Sequence, residues 1–357
     1  MSKVLYVASN MQHINNFHIP YINKLREDGH DVKVMATGEG ADLDVLFVKK
    51  MLSPRNLISQ LKIRKIVKKE KFDAIILNTT LAAFHVRMAL PSKNRPKVLN
   101  VVHGYLFHED QKGLKAKIFR TCEKFLRKKT DAIAVMNEED ARIAEENRFT
   151  DGEIIMTLGM GVKVAEQKSS RESIRQFTKT DGKYLLGFVG ELSERKNQHF
   201  LICALPEIKI AEPNAELLLV GRGGEEAHLR RLAERLGVLD SVHFLGYKNN
   251  PCDFMRTCDL YVSASDIEGM PFNIIEAMGC RIPILASEVK GHTDIIEDGV
   301  EGYLYENKNM ADFVAKVKAF RKGDAMVDPD AQSARYDKYS FENVFEKTYS
   351  VMKEFVK

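Results

Sequence analysis

Residues 268–279 read EGMPFNIIEAMG, with Glu268 and Glu276 at the two ends of an apolar stretch that opens on a proline. Gly269 and Pro271 bracket a turn, and a helix is predicted from about Phe272, so the backbone N–H groups of Met270, Phe272 and Asn273 lie at its open end. Glu268 then precedes the helix and Glu276 falls in its second turn. A carboxylate only accepts hydrogen bonds and can take two hydroxyl hydrogens at once, which suits a vicinal diol. Helix capping by Glu268 and a solvated Glu276 fit the same spacing, so the flanking sequence has to decide.

The residues before this stretch, LYVSAS (260–265), and those after it, IPILAS (282–287), are short apolar runs of the kind that form strands buried on both faces. Similar runs recur at YLLGFVG (184–190), AELLLVG (215–221) and VHFLGY (242–247). The first half holds VLYVAS (4–9), DVKVMAT (31–37), DAIILN (73–78), KVLNVVHG (97–104) and AIAVMN (132–137). Helical periods fill the gaps, which predicts an α/β chain with two doubly wound parallel sheets. The length of 357 residues agrees with two domains. The polar stretch 163–183 lacks a strand pattern and is assigned as the linker. The boundary is set between residues 168 and 169, giving an acceptor-side domain over 1–168 and a ligand-side domain over 169–357. Residues 336–357 carry an amphipathic helix whose partner is either domain, including a return to the first.

With 44% apolar and 29% charged residues, the composition is that of an ordinary globular protein. No run approaches a membrane span and MSKVLYVASN lacks the layout of a signal peptide, so a cytoplasmic protein is expected. The five cysteines show no metal-binding spacing and are expected to be reduced packing residues. Charge is uneven: residues 1–168 hold 29 Lys and Arg against 20 Asp and Glu, and the remainder 25 against 30. The basic half therefore suits an anionic partner, a membrane surface or nucleic acid.

In open parallel sheets ligands bind outside the carboxyl ends of the strands. YLLGFVG ends on Gly190 and is followed by ELSERKNQ, which puts Arg195 and Lys196 at a helix entrance, a good seat for a diphosphate. An ordinary solvated loop is the other reading. His103 and Gly104 end the fourth run of the first half and open onto the expected interdomain cleft. The segment after the first strand carries no G-x-G-x-x-G, which argues against a nicotinamide or flavin enzyme. It is read as a loop crowded instead with Asn10, Gln12, His13, Asn15, Asn16 and His18; Asn10, His13 and Asn16 are candidates for holding an acceptor sugar, and ordinary loop polarity is the other reading.

Two predicted helices are basic, 61–71 and 113–129. In the second, Leu114, Ile118, Phe119 and Leu126 interleave with Lys115, Lys117, Arg120, Lys124, Arg127, Lys128 and Lys129. Such a face attaches to anionic lipid by partial burial plus charge. No nucleic-acid reader motif accompanies it, so the membrane is preferred and no nucleic acid is expected.

Together the stretches SDIEGMPFNIIEAMGCRIPILASEVKGHTDIIEDGVEGYLY (265–305), GFVGELSERKNQ, AELLLVGRGGEEAHLRRLAERLGVLDSVHFLG and NVVHGYLF resemble the retaining glycosyltransferases of family 4 with the GT-B fold. The first half looks most like the bacterial branch that builds capsule and exopolysaccharide. The resemblance implies two Rossmann-like domains facing across a cleft. It implies that Glu276 binds the ribose hydroxyls, Glu268 the donor sugar, and Arg195 and Lys196 the diphosphate. Gly190, Gly269, Met270, Pro271, Phe272 and Asn273 would line the nucleotide-sugar site. His103 would lie beside the donor sugar and backbone groups around Tyr247, Lys248 and Asn249 would meet the base. Two departures stand out: Glu191 occupies a place where many relatives carry arginine, and the glycine-rich first loop is missing.

The expected reaction is a metal-independent, retaining transfer of a hexose or N-acetylhexosamine. Its donor is a UDP-sugar and its acceptor a polyprenyl-diphosphate-linked saccharide, at the inner face of the cell membrane. No cofactor or metal is expected. The alternatives are a nucleotide-sugar epimerase and a non-catalytic GT-B activator subunit.

Overall fold

The computed structural model describes every residue except Lys49, Leu52, Leu106 and Asp110. It divides into two compact units, Met1–Gly161 with Phe341–Lys357, and Val162–Ser340.

The first unit is built on seven strands: β1 (Lys3–Asn10), β2 (Asp31–Thr37), β3 (Leu43–Asp44), β4 (Ala74–Leu77), β5 (Lys97–Val101), β6 (Ala132–Val135) and β7 (Glu153–Met156). They lie in the order β3-β2-β1-β4-β5-β6-β7 and every pairing is parallel. Parallel neighbours require a crossover, and helices supply it, covering both faces. That coverage is why β4 and β6 read as unbroken apolar runs with every residue buried. The order reverses direction between β1 and β4, so the loops after those two strands diverge and leave a crevice.

The second unit repeats the plan with β8 (Tyr184–Val189), β9 (Ala215–Val220), β10 (Val242–Gly246), β11 (Leu260–Ser263), β12 (Ile284–Ser287) and β13 (Tyr303–Tyr305). Their order is β10-β9-β8-β11-β12-β13, again all parallel, with the reversal between β8 and β11. At the carboxyl edge the backbones of three strand ends touch. Gly190 N–H donates to Val220 O at 2.9 Å and Gly221 N–H to Gly246 O at 2.9 Å. Gly221 has φ +143°, and a Cβ there would stand 1.8 Å from Gly190 O, so no larger residue permits this approach.

The division between units differs from the expected one at 168/169. Residues 162–168 belong to the second unit because they are tied to it. Val164 N–H donates to Tyr336 Oη at 3.2 Å, and Lys168 and Ser169 N–H groups donate to the Asp253 carboxylate. The stretch assigned as linker includes a helix, Arg171–Thr178, whose Arg175 bonds Thr257 O and Asp259. The C-terminal segment splits at Ser340. Helix Pro329–Tyr339 stays with the second unit, and helix Phe341–Val356 returns to the first. There it buries Val344, Tyr349 and Met352, sets the Phe345 ring tilted against Tyr21 with centroids 4.8 Å apart, and Thr348 Oγ1 donates to Gly159 O at 2.7 Å.

Candidate functional site

Following β8, a short 3-10 turn Glu194–Lys196 leads into helix Gln198–Ala211, and it places Arg195 and Lys196 beside the loop that follows β11. The Glu268 carboxylate takes Arg195 Nη1 at 2.5 Å on Oε2 and Lys196 Nζ at 2.6 Å on Oε1. Arg195 also donates to Ile267 O at 3.0 Å, and its N-terminal neighbour loop is closed by Asp266 N–H to Arg195 O at 2.9 Å. Glu268 is 5% exposed. Its burial alone would raise the carboxyl, but the Lys196 and Arg195 charges outweigh that and hold it at about 2. Lys196 is pulled down by its own burial, with Glu268 opposing.

Each Glu268 oxygen thus meets one cation, so the carboxylate holds Arg195 and Lys196 together while keeping further acceptor positions. Two cations against one carboxylate leave a net positive charge, and the Arg195 side chain remains 39% exposed. That is a seat for an anion.

Helix Phe272–Gly279 begins where the sequence placed it. Its start is less open than expected, because Phe272 N–H donates to Met270 O at 3.0 Å. Met270 and Pro271 are buried. The Asn273 side chain faces the sheet: Nδ2 donates to Tyr261 Oη at 2.9 Å and Val189 O at 3.2 Å. Asn273 thus fixes the end of β8 to the helix, and Gly269 stands in the half-buried turn before it.

Glu276, one turn on, is half-buried, and its side chain has no hydrogen-bond partner among the described residues. Burial pushes its carboxyl up to about 8, with the nearby Cys252 adding to the rise and Lys196 opposing it. Lys196 thus acts on both acids, which places them in one locale. One glutamate is held ionised and the other neutral at pH 7, set apart by their surroundings.

Two residues that the sequence did not single out complete this edge. Gly291 (φ +88°) lies so near Glu268 that a Cβ would stand 2.5 Å from the glutamate Cβ, and Lys290 O accepts Glu268 N–H at 3.0 Å. His292 is fully buried behind them, with Nδ1 at 2.8 Å from Ser287 O and Nε2 at 3.2 Å from Ser263 Oγ. Burial lowers it to about 4, so it is a neutral ring that braces β11 and β12. The glycine and histidine in KGHTDII were the available signal.

Tyr247, Lys248 and Asn249 follow β10 at the same edge of the sheet. Tyr247 and Asn249 are exposed, and Lys248 Nζ lies over the Phe177 and Phe254 rings at 5.4 and 5.5 Å.

In the first unit the segment after β1 is a helix, Met11–Phe17, rather than a loop. Asn10 caps it, its Oδ1 accepting His13 N–H at 2.9 Å, and the residue is exposed. Asn16 is exposed on the helix. His13 faces inward and meets His18 and His103. Gly104 beside His103 has φ +117°.

The basic helix spans Leu114–Leu126. Its inner face is Ala116, Glu123 and Leu126, with Glu123 paired to buried Arg87 at 2.7 Å, while Leu114, Ile118 and Phe125 are exposed. Arg120 is not an outward cation: it bonds the carbonyls of His108, Glu109 and Gln111 and stacks on Phe107. Arg127 pairs with Asp151. Lys115, Lys117, Lys124 and Lys128 form no ion pair among the described residues. No helix among the described residues is long and apolar enough to cross a membrane.

Comparison with known proteins accords with this arrangement. A family model described as Glycosyltransferase Family 4 matches residues 21–165, and one described as Glycosyl transferases group 1 matches 169–339. A putative glycosyltransferase of Bacillus subtilis, EpsD, is 27% identical over 332 residues, 88% of this chain and 86% of that protein. The Escherichia coli UDP-Gal:alpha-D-GlcNAc-diphosphoundecaprenol alpha-1,3-galactosyltransferase is 22% identical over 73% of this chain and 69% of its own length. Among solved structures, Anabaena HepE in complex with UDP and glucose superposes with a TM-score of 0.77 at 19% identity, covering 99% of this chain and 100% of that one. Two parallel sheets of this order, the charged edge of the second, and family models that between them span most of the sequence lead to one conclusion: the chain belongs to the GT-B glycosyltransferases.

Proposed function

We propose that the protein transfers a hexose or N-acetylhexosamine from a UDP-sugar to a polyprenyl-diphosphate-linked saccharide, with retention of configuration. The observation that carries this reading is the Arg195–Glu268–Lys196 cluster beside an uncharged Glu276, all outside the reversal point of the second sheet. UDP in the Anabaena structure and the diphosphoundecaprenol-linked acceptor of the E. coli relative support the two substrate classes.

On this reading the diphosphate seats against Arg195 and Lys196, and Glu276 takes the ribose hydroxyls. The bond from the sugar C1 to the phosphate oxygen breaks with its electron pair going to the β-phosphate. Preorganised cations meet that charge as it develops, in place of a metal at the donor. The acceptor hydroxyl oxygen bonds to C1 on the same face, and its proton passes to the departing phosphate oxygen. Glu268 accepts from a donor-sugar hydroxyl while it holds the two cations in place. Tyr247, Lys248 and Asn249 receive the base. The apolar stripe of Leu114, Ile118 and Phe125, flanked by lysines, rests on the anionic cytoplasmic membrane where the acceptor lipid resides.

The test is incubation with a panel of UDP-sugars, with and without a lipid-linked saccharide. Release of UDP only when acceptor is present, with an α-linked product from an α-linked donor, is the expected result. Conversion of the donor alone identifies an epimerase, and binding without either change identifies a non-catalytic subunit; each would replace this reading.

A further inference from the structure

His13, His18 and His103 come together from three places in the first unit. His13 lies on helix Met11–Phe17, His18 joins it to helix Ile19–Glu27, and His103 follows β5. All stand at the carboxyl edge of the sheet near the reversal between β1 and β4, where folds of this class bind ligands. A nitrogen of each lies within 4.8 Å of the others, and the rings meet at tilted or edge-on angles with centroids 4.9 to 5.5 Å apart.

The hydrogen-bond pattern of these rings is uneven. His18 Nδ1 is 2.9 Å from Tyr6 Oη, and the Asn78 carbonyl serves the His13 ring. In contrast His13 Nε2, His18 Nε2 and both nitrogens of His103 are buried with no hydrogen-bond partner among the described residues. Buried polar nitrogens are almost always satisfied, and four in one spot ask for a common partner. Burial keeps all three rings uncharged, the form in which imidazole donates a lone pair. A ring whose outer nitrogen is held by a hydroxyl or a carbonyl while the inner one points into a cluster is the arrangement of metal-bound histidine.

We propose that His13 Nε2, His18 Nε2 and one nitrogen of His103 bind a single divalent transition cation of the zinc class, with Tyr6 orienting His18. Imidazole is a preferred ligand for such ions, and three nitrogens leave a fourth position for an oxygen. Tetrahedral zinc at about 2.0–2.1 Å from nitrogen needs the three within roughly 3.4 Å of each other, so the rings close by about 1 Å on loading. This site belongs to the first unit and the Arg195–Glu268–Lys196 cluster to the second, and the proposal does not depend on the transfer reading.

The experiment is titration of the untagged, chelator-stripped full-length protein with Zn²⁺ against a chromophoric chelator, and with Co²⁺ followed by visible absorption. The expected result is one ion per chain, with the intense spectrum of four-coordinate cobalt and a rise in melting temperature. His103→Gln should weaken binding by more than about a hundredfold, and Tyr6→Phe by about ten- to a hundredfold. His18→Ala is a third variant, read only if its circular dichroism is native. The stacked surface pair His199 and His228 is the internal competitor, with centroids 5.9 Å apart, and His228→Ala should leave binding unchanged. No saturable binding, binding that survives both His103→Gln and Tyr6→Phe, or binding lost in His228→Ala overturns the proposal.

Discussion

Glu276 offers a measurable proton. Its carboxyl sits at about 8 in the free protein because desolvation of the acid and the nearby Cys252 raise it more than Lys196 lowers it. At pH 7.5 a group with that value is about three-quarters protonated. Ribose hydroxyls donating to it favour the carboxylate, and a return toward the ordinary glutamate range empties the site of its proton. UDP binding at pH 7.5 should therefore release about three-quarters of a proton from this residue. The sign follows directly: the free protein holds the extra proton, so UDP affinity rises with pH up to about 8 and levels off above it. Calorimetry in two buffers of different ionisation enthalpy counts the protons, and Glu276→Gln supplies the blank that removes any contribution from the UDP phosphate. The variant should release about three-quarters of a proton less and bind about tenfold more weakly, having lost charge-assisted hydrogen bonds. Equal proton counts in the two proteins, or uptake in place of release, would refute both the neutral state of Glu276 and its contact with the ribose.

Lys196 and Arg195 should separate stability from turnover. Lys196→Ala strips a buried carboxylate of one cation and should cost roughly 3–5 kcal/mol in urea unfolding, whereas Arg195→Ala, more exposed, should keep the fold and lower kcat by about 10²–10³. A loss under about 1 kcal/mol for Lys196→Ala would show that Glu268 does not need it. Combined replacement of Leu114, Ile118 and Phe125 by Ser should reduce co-sedimentation with anionic vesicles by about tenfold at unchanged melting temperature; equal sedimentation would exclude this stripe as the contact.

Long apolar runs made the ten main strands and the doubly wound order legible, since strands covered on both faces carry no alternation to misread. The three strands that escaped, at 43–44, 153–156 and 303–305, are edge or near-edge strands of two to four residues, too short to show a period. Helix Phe272–Gly279 and the approach of Arg195 and Lys196 to the 268–279 stretch were readable from a turn, a proline and the rule that loops cluster at carboxyl ends. What was not readable was partnership. Nothing in the spacing of Arg195, Lys196 and Glu268 says that the acid pairs with both cations, nor that Asn10 would cap a helix and Asn273 anchor a strand. Such choices depend on contacts between residues about 70 to 80 positions apart or on which face of a helix turns inward. The buried His292 and the meeting of His13, His18 and His103 were hidden for the same reason.

The return of helix Phe341–Val356 to the first unit sets an order of events during synthesis. Residues 162–340 can finish folding as soon as they leave the ribosome, but the N-terminal sheet waits, with Tyr21 and Lys24 uncovered, until a helix made about 180 residues later arrives to cap them. The half translated first is thus completed last, and that interval is when the nascent chain is most open to chaperones and proteases.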